Sequence, residues 1–249
     1  MTRYYRFSLA FILILSFSFS SSVLSGQEKS PPWRYLFDGK DLRHFDITGD
    51  TARAWVENGE ILCHMVSNTD QHTFVRTKKK YGDFILEAEC KNEGEFHTGI
   101  LFRCLEAPDT ATVSIYGYQM KIDPTSRKWT GGVFDDYGKT WKWMYDLSEN
   151  PEAREAFKMN EWNHFRIEAI GPSVKVWVNG IAATNMINSK YSNGYIALKI
   201  HSMGNFPEKE KILVHWKNIR IITRDPGRYA TESDAQLKTV DLNFVSKNR

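Results

Sequence analysis

Polar side chains that could carry out acid, base or electrostatic chemistry alternate with apolar ones in several short segments of the sequence. Around Met120 and Ile122 the polar neighbours are an amide, an amine and a carboxylate, and around Leu198 and Ile200 they include an amine and an imidazole. Because side chains alternate between the two faces of a strand, the polar set could share one concave sheet face. Its members are Glu89, Arg103, Gln119, Lys121, Asp123, Lys199 and His201. Together they predict a site in which carboxylates or an imidazole move protons and cations stabilise negative charge.

The solvent-facing side of an ordinary antiparallel sheet is also polar, so each of these residues has a structural alternative. We assign Glu87 to that alternative, because cross-strand pairs of Glu with basic residues are common on exposed sheets. The histidines without a supporting pattern are expected to be structural or surface residues and are His64, His72, His164 and His215. His97 precedes the Thr98-Gly99 turn near the predicted site, and we keep it as a candidate binding residue.

A Gly-rich, aromatic segment at residues 128–143 is predicted to form a long loop over this site. Aromatic rings can stack on the apolar C–H faces of sugar rings, while carboxylates accept hydrogen bonds from sugar hydroxyls. The candidate binding residues of the segment are Trp129, Asp135, Asp136, Tyr137 and Trp141. For Trp141 and Trp143, a hydrophobic plug at the end of the fold is an equal alternative. Gly131-Gly132 is not part of a phosphate-binding loop, because no G-x-x-x-x-G-K-[ST] pattern is present.

Short alternating segments separated by turn residues indicate an all-β fold. Asn58-Gly59 and Asn179-Gly180 each lie between two apolar runs, which is the strongest short-range signal for a β-hairpin. Further strands are predicted at 84–90, 99–104, 116–122, 164–169, 195–200 and 212–222. One short helix is expected, capped by Asn150, with Pro151 in its first turn and helix formers from Glu152 to Lys158. Many antiparallel strands with close hairpins predict a two-sheet sandwich or jelly roll.

The termini differ from the central part of the chain. Residues 32–225 contain no internal repeat or Pro-rich linker and are interpreted as a single domain, and a polar tail follows at 226–249. Arg3 and Arg6 precede an apolar run and small residues, which is the pattern of a signal peptide over residues 1–25. Its removal would lower the formal net charge from +3 to +1, because it carries both arginines. The protein is therefore expected to be periplasmic or secreted, with no membrane span in the mature form.

The overall composition fits a globular protein, since 41% of the residues are hydrophobic and 25% are charged. Basic residues are not clustered as they are in nucleic-acid-binding proteins. The 8 Trp, 11 Tyr and 15 Phe suit a β-rich core, a sugar-stacking surface, or both. Cys63, Cys90 and Cys104 could form one disulfide and leave one thiol, or remain buried without pairing. No C-x-x-C occurs, so the cysteines do not indicate a zinc site.

Eight short motifs occur in a fixed order along the chain. They are LFDGKDL at 36–42, YGDFILEAE at 81–89, TGILFR at 98–103, GYQMKID at 117–123, EWN at 161–163, WVNG at 177–180, GYIALKIH at 194–201 and KNIR at 217–220. In these motifs the sequence resembles the 3-keto-disaccharide hydrolase domain family, over residues 33–224. The resemblance implies a concanavalin A-like sandwich that acts on 3-keto-glycosides, either as a hydrolase or as a 1,2-lyase with hydration of the product.

The chemistry that the resemblance implies begins at the carbon next to a ketone. A carbonyl at C3 of a sugar acidifies the proton at C2, so that a base can remove it and the bond at C1 can then break. In this chain we expect His201 or Glu89 to be the base and Arg103 and Lys121 to stabilise the enolate, with Asp123 beside them. A divalent cation is a further option, for which Glu89, Asp123 and His201 would be the ligands.

Three positions depart from the family pattern. Members often carry an acidic residue and Gln where this chain has Gln119 and Lys121, and Gln where it has Lys199. The added lysines could change the substrate or the base, or mark a subgroup without the activity. The alternative function is therefore a non-catalytic glycan-binding module on a lectin-like sandwich, using the aromatic segment without chemistry.

Overall fold

The chain folds almost entirely into strands joined by short turns, as the alternating pattern predicts. The computed structural model describes residues 30–49, 52–65, 71–107, 115–136, 142–202, 204–231 and 239–245. The strands are Arg34–Phe37 (β1), Phe45–Gly49 (β2), Arg53–Glu57 (β3), Glu60–His64 (β4), Thr73–Thr77 (β5), Phe84–Asn92 (β6), Thr98–Glu106 (β7), Ile115–Ile122 (β8), Val133–Asp135 (β9), Lys142–Tyr145 (β10), Asn163–Ile170 (β11), Ser173–Val178 (β12), Ile181–Ile187 (β13), Tyr195–Ile200 (β14), Leu213–Ile222 (β15) and Val240–Asp241 (β16). The helices are Pro151–Arg154 (α1) and Leu242–Val245 (α2), and short 3₁₀ turns lie at Pro207–Lys209 and Pro226–Tyr229.

The two Asn-Gly pairs form the hairpin turns that the sequence predicts. Asn58 and Gly59 have φ of 50° and 81°, and Asn179 and Gly180 have φ of 51° and 83°. These left-handed conformations match the type I′ turn, whose twist suits the flanking strands. The first turn joins β3 to β4 and the second joins β12 to β13, each as an antiparallel pair.

The strands form two sheets that pack face to face. The first sheet has nine strands in the order β16-β13-β12-β11-β6-β15-β4-β3, with β1 also paired to β15. The second sheet has seven strands in the order β10-β9-β8-β7-β14-β5-β2. All pairs are antiparallel except β13 with β16. The predicted all-β, antiparallel two-sheet sandwich is thus confirmed.

The core lies between the sheets and is filled from both. Leu86 and Ala88 of β6 share one buried apolar cluster with Met120 and Ile122 of β8, and Trp216 is fully buried among them. Since side chains alternate along a strand, the intervening residues of β6 point to the outer face of the first sheet, and those of β8 to the outer face of the second. The sandwich therefore presents two separate polar faces, with the whole core between them.

Two local predictions need correction. Helix α1 is capped as expected, with the Ala153 amide donating to Asn150 Oδ1 at 3.1 Å, but it ends at Arg154 rather than near Lys158. Residues 128–143 are not a long loop throughout, because they contribute β9 and the start of β10 to the edge of the second sheet. Pairing of β8 with β9 and of β9 with β10 satisfies the backbone groups that a loop would leave open.

All three cysteines are buried free thiols rather than partners in a disulfide. Cys63 and Cys90 belong to the core between the sheets, and Cys104 belongs to a smaller apolar cluster on the other side of the second sheet. Burial raises the pKa of the Cys63 thiol to about 12. The cysteines therefore act as small apolar residues.

The ends of the chain are described only in part. The predicted signal peptide at 1–25 lies outside the described residues. In the tail, Val240–Asp241 pairs with β13, and the described residues from Pro31 onward belong to one unit. Across the described ranges, no helix is both long enough and apolar enough to cross a membrane.

Glu87 is held by cations on the outer face of the first sheet. It accepts hydrogen bonds from Arg166 Nη1 at 2.8 Å and Arg220 Nη2 at 2.6 Å, and His164 Nε2 lies 3.6 Å away. Burial alone would raise the pKa of this carboxyl, but His164, Arg220 and Arg166 together lower it from 4.5 to about 2. The expected structural role of Glu87 thus fits its contacts.

Glu87→Gln is expected to lower the free energy of unfolding at neutral pH, and to lower it by a smaller amount in acid. The folded-state pKa lies below the unfolded value, so the stabilising contribution is present above about pH 4.5 and is lost as the pH falls toward about 2. Chemical denaturation of both proteins at pH 7 and pH 3 measures the difference in the free energy of unfolding, which should narrow at pH 3. An unchanged difference would contradict the assignment.

Candidate functional site

Two lysines share one cross-strand row on the outer face of the second sheet. Lys199 of β14 and Lys121 of β8 both pair in register with Gly99 of β7, which lies between them. A Cβ atom on Gly99 would approach the carbonyl oxygen of Met120 to 2.3 Å, so this position does not accommodate a side chain. The glycine puts no side chain between the two lysines, and the Gln119 amide nitrogen lies against it, 2.9 Å from the same Cβ position. We call these three residues the lysine row.

The two amines of the lysine row have different environments. Lys199 Nζ donates to Asp136 Oδ2 at 2.6 Å, and each side chain is only 3% exposed. Burial lowers the pKa of Lys199, while the charge of Asp136 acts against that change. Within the described residues, Lys121 Nζ makes no hydrogen bond and lies 5.3 Å from the centre of the Phe134 ring. Burial and the nearby charge of Lys199 lower the pKa of Lys121 from 10.5 to about 8.

A cluster of histidines lies next to the lysine row. The ring centres of His72 and His201 are 4.3 Å apart, and those of His97 and His201 are 6.1 Å apart. His201 Nδ1 lies 2.7 Å from the carbonyl oxygen of Ser202, and the amide of the same residue donates to His72 Nδ1 at 2.8 Å. We call His72, His97 and His201 the histidine cluster.

The Ser202 peptide assigns opposite tautomers to two of these rings. A carbonyl oxygen can only accept, so His201 Nδ1 carries the proton and His201 Nε2 keeps a lone pair. An amide can only donate, so His72 Nδ1 has the lone pair and His72 Nε2 carries the proton. Burial lowers the pKa of His201 to about 3 and that of His72 further, with positive charge from Lys199 acting in the same direction. At neutral pH the pair therefore offers one basic nitrogen and one uncharged N–H donor.

Asp123 lies beside the histidine cluster, with its carboxylate already occupied. It accepts from Arg127 Nε and Thr125 Oγ1, both at 2.7 Å, and His97 Nδ1 is 3.5 Å from Oδ1. Burial raises the pKa of this carboxyl, but the contacts with Arg127, Thr125 and His97 outweigh it, and the net shift is downward. Asp123 is thus an ionised anchor for Arg127 and His97.

An aromatic edge borders the lysine row and consists of Trp129, Phe134 and Trp143. The ring of Trp143 meets those of Trp129 and Phe134 edge-on, with centres 5.0 Å and 5.3 Å apart. The Arg127 guanidinium lies 5.0 Å from the centre of Trp129 and 5.2 Å from that of Trp143. Gln119, paired with Phe134, is fully buried, and its Oε1 has no partner in the part of the chain that the structure describes. The edge combines apolar rings with polar atoms, as sugar-binding surfaces do.

Most of the residues that the sequence singled out come together here. The outer face of the second sheet unites Lys121, Asp123, Gln119, Lys199, His201, His97, Trp129 and Asp136. Sequence reasoning missed His72, which it assigned to a structural role, and did not select Phe134. Only their positions in the sheet could have identified them. Phe134 pairs with Gln119, and His72 precedes β5, the neighbour of β14.

The prediction that Glu89 joins this site is wrong. Glu89 lies on β6 of the first sheet, where Asn218 Nδ2 donates to it at 2.7 Å and Lys217 Nζ is 3.4 Å away. The core separates it from His201. The cation site predicted from Glu89, Asp123 and His201 is therefore not assembled. Among the described ranges, no three His, Cys, Asp or Glu side chains are grouped to hold a metal ion.

Arg103 also points away from the site. Its φ is 48°, and the pairing register of β7 shifts between Phe102 and Leu105. This left-handed bulge turns the side chain inward, so that Arg103 is only 1% exposed. The guanidinium donates to the carbonyls of Gly82, Gly171 and Tyr191 and to Asp83 Oδ1, at distances from 2.8 to 3.3 Å. Arg103 therefore joins three segments of backbone.

The remaining predicted binding residues divide into two groups. Asp135 faces away from the lysine row and accepts from Tyr191 Oη at 2.9 Å and from Lys190 Nζ. Neighbouring residues of β9 point to opposite faces, which separates it from Asp136. Tyr137 and Trp141 lie outside the described residues.

A protein-family model decides the family. The model of the 3-keto-α-glucoside-1,2-lyase-like domain matches residues 32–222, which is most of the chain. The chain belongs to this family. The resemblance that the eight motifs carry is thereby confirmed. A comparison with curated proteins finds no match.

Solved structures similar to this 3-keto-α-glucoside-1,2-lyase-like domain agree on the fold. A candidate glycosyl hydrolase from Parabacteroides distasonis has a TM-score of 0.56 at 19% identity, covering 78% of this chain and 94% of its own. The carbohydrate-binding module CBM66 from Bacillus subtilis has a TM-score of 0.52 at 14% identity, with 71% and 95% covered. The κ-carrageenase from Pseudoalteromonas carrageenovora, solved with a κ-carrageenan oligosaccharide, has a TM-score of 0.52 at 11% identity, with 81% and 98% covered. At these identities the similarity concerns the fold.

Proposed function

We propose that the protein is an exported enzyme that cleaves 3-keto-glycosides by removing the proton at C2. The observation that supports this most directly is His201, an uncharged imidazole with its Nε2 lone pair free of the Ser202 contact, beside the lysine row. It stands in a member of the 3-keto-α-glucoside-1,2-lyase-like family. A neutral base next to cations suits a reaction in which a C–H bond loses a proton and negative charge develops on an oxygen.

The proposed reaction assigns His201 the role of general base. Proton removal from C2 gives an enolate, whose charge spreads onto the oxygen at C3. The enolate then expels the oxygen substituent at C1, and the protonated His201 can return its proton to that departing oxygen. Addition of water across the resulting C1–C2 double bond completes net hydrolysis. No oxocarbenium ion is needed, so the proposal does not require a pair of facing carboxylates.

Two further groups are proposed to stabilise the enolate oxygen. Lys121 can supply a positive charge, because no hydrogen bond in the described residues occupies its amine. His72 Nε2–H can donate a neutral hydrogen bond, because the Ser202 amide fixes the opposite tautomer of that ring. The second lysine of the row, Lys199, is held in an ion pair with Asp136.

The aromatic edge is proposed to hold the sugar. Trp129 and Trp143 offer apolar ring surface, and the Arg127 guanidinium offers a donor for hydroxyls. The leader at residues 1–25 is proposed to direct export, which would bring the domain to extracytoplasmic glycans. The aromatic edge carries the sugar-binding part of the proposal, because the fold alone is shared with enzymes and with binding modules.

A paired substrate assay tests the proposed function. The purified protein is incubated with one disaccharide and with its 3-keto form, and free sugar is measured by chromatography. Release from the keto form alone is expected, because only a C3 carbonyl acidifies the C2 proton. Binding of both sugars with turnover of neither would instead favour the glycan-binding module.

A further inference from the structure

We propose that Lys121 acts as a nucleophile and forms an imine with the C3 ketone of the substrate. This inference rests on the proposed function, because it assumes that a 3-keto sugar is bound over the lysine row. It goes beyond that function by making the carbonyl activation covalent rather than purely electrostatic. An iminium at C3 withdraws electrons from C2 more strongly than a neutral ketone does. The C2 proton is then more acidic, so that a weak base such as His201 can remove it.

The geometry leaves the Lys121 amine free to react. The Lys121 side chain is partly exposed, and within the described residues no hydrogen bond occupies its amine. The other amine of the row, Lys199 Nζ, is tied to Asp136 at 2.6 Å. Phe134 covers one side of Lys121 with an apolar ring at 5.3 Å. A lysine in an apolar setting next to a second cation is the arrangement that activates amines for imine formation.

Burial, together with the nearby charge of Lys199, favours the neutral form of Lys121. The ionisable groups that act on or lie near it are Lys199, Asp136, Asp123, Arg127, His97, His72 and His201. Both aspartates are engaged by other cations, Asp136 by Lys199 and Asp123 by Arg127. Both aspartates still raise the pKa of Lys121, but burial and the charge of Lys199 outweigh them and lower it to about 8. A substantial fraction of the amine is unprotonated just above neutral pH.

The step balances with water and one proton from solvent. The neutral Lys121 amine attacks C3, the carbinolamine takes up this proton and loses water, and a protonated imine remains; the proton is released again when the iminium is hydrolysed at the end. His201 takes the proton from C2 to give an enamine, and the enamine expels the oxygen substituent at C1, which receives the proton from His201. Water then hydrolyses the conjugated iminium, and this restores the C3 ketone and the free amine.

Reductive trapping tests the imine. The purified protein is incubated with a 3-keto-glycoside and cyanoborohydride, which reduces an iminium in preference to a ketone, and is then analysed by intact mass and peptide mapping. We expect one sugar per chain, attached at Lys121, and none with the unoxidised glycoside. Lys121→Arg keeps the charge but cannot form an imine, and it should abolish the adduct and lower turnover by at least about 100-fold.

A second variant guards against misfolding. Lys121→Gln removes both the amine and the charge, and it should likewise abolish the adduct and lower turnover. Turnover by wild-type protein with no adduct, or near wild-type turnover by either variant, would overturn the imine and leave the proposed function standing. An adduct at Lys121 without turnover would support the nucleophile and remove the proposed function, and the lack of both would remove both.

Discussion

Replacing His201 by Asn is expected to lower kcat/KM for a 3-keto-glycoside by about 10²–10⁴-fold while the fold persists. The Asn amide can still donate toward the Ser202 carbonyl, which now lies 2.7 Å from His201 Nδ1, but it has no basic nitrogen. Steady-state kinetics measure the loss, and thermal unfolding measures the fold. Because burial lowers the pKa of His201 to about 3, the wild-type pH profile should also lack the acid limb near pH 6.5 of an exposed imidazole.

Glu89→Gln is the matched control, since the sequence left Glu89 and His201 as alternative candidates for the base. Glu89 lies on the outer face of the first sheet, across the core from the histidine cluster. Its replacement should leave kcat/KM close to the wild-type value. A large loss in Glu89→Gln together with full activity in His201→Asn would reverse the assignment and relocate the site.

Arg103→Ala is expected to lower the free energy of unfolding by about 3–5 kcal/mol. The guanidinium donates hydrogen bonds to the carbonyl groups of Gly82, Gly171 and Tyr191, which would lose this donor. Because the side chain is buried, its removal also leaves a cavity. An unsatisfied buried carbonyl costs about 1–3 kcal/mol, so the loss of several acceptors at once dominates the effect. Chemical denaturation with linear extrapolation measures the change.

The exposed Arg224 provides a control for the loss of one positive charge. Arg224→Ala should change the free energy of unfolding by no more than about 0.5 kcal/mol. Should Arg103→Ala retain wild-type stability and lose turnover, Arg103 would belong to the catalytic site instead. Stability and turnover measured together therefore distinguish a structural role of Arg103 from the catalytic role expected from the sequence.

Strand parity predicted a large part of the candidate site. It selected Gln119, Lys121 and Asp123 on one strand and Lys199 and His201 on another, and the structure places these on one face. Alternation is a property of the local backbone, so a short sequence is enough to reveal it. The Asn-Gly hairpins were predicted for the same reason, because the turn conformation depends on only two residues.

Arg103 shows where parity fails. A left-handed residue inserts a bulge in β7, and the positions after it no longer alternate as before. Two glycines pack closely against the bulge, Gly117 of β8 and Gly194 just before β14. A Cβ atom on Gly117 would approach the Cα of Cys104 to 2.7 Å, and one on Gly194 would approach the carbonyl carbon of Arg103 to 2.3 Å. These contacts join β7 to residues far along the chain, so no local pattern contains them.

The sequence by itself determined the fold class, the hairpins, the family and the polar face of each strand, because periodicity and turn chemistry are local. Only the tertiary structure decided which polar faces meet. It separated Glu89 from His201 by a core, since parity assigns a residue to a face but not to a sheet. It also brought His72 to His201 through the Ser202 peptide, a contact between residues 130 positions apart. Such contacts depend on how strands from distant parts of the chain pair, and on the burial that follows from that pairing.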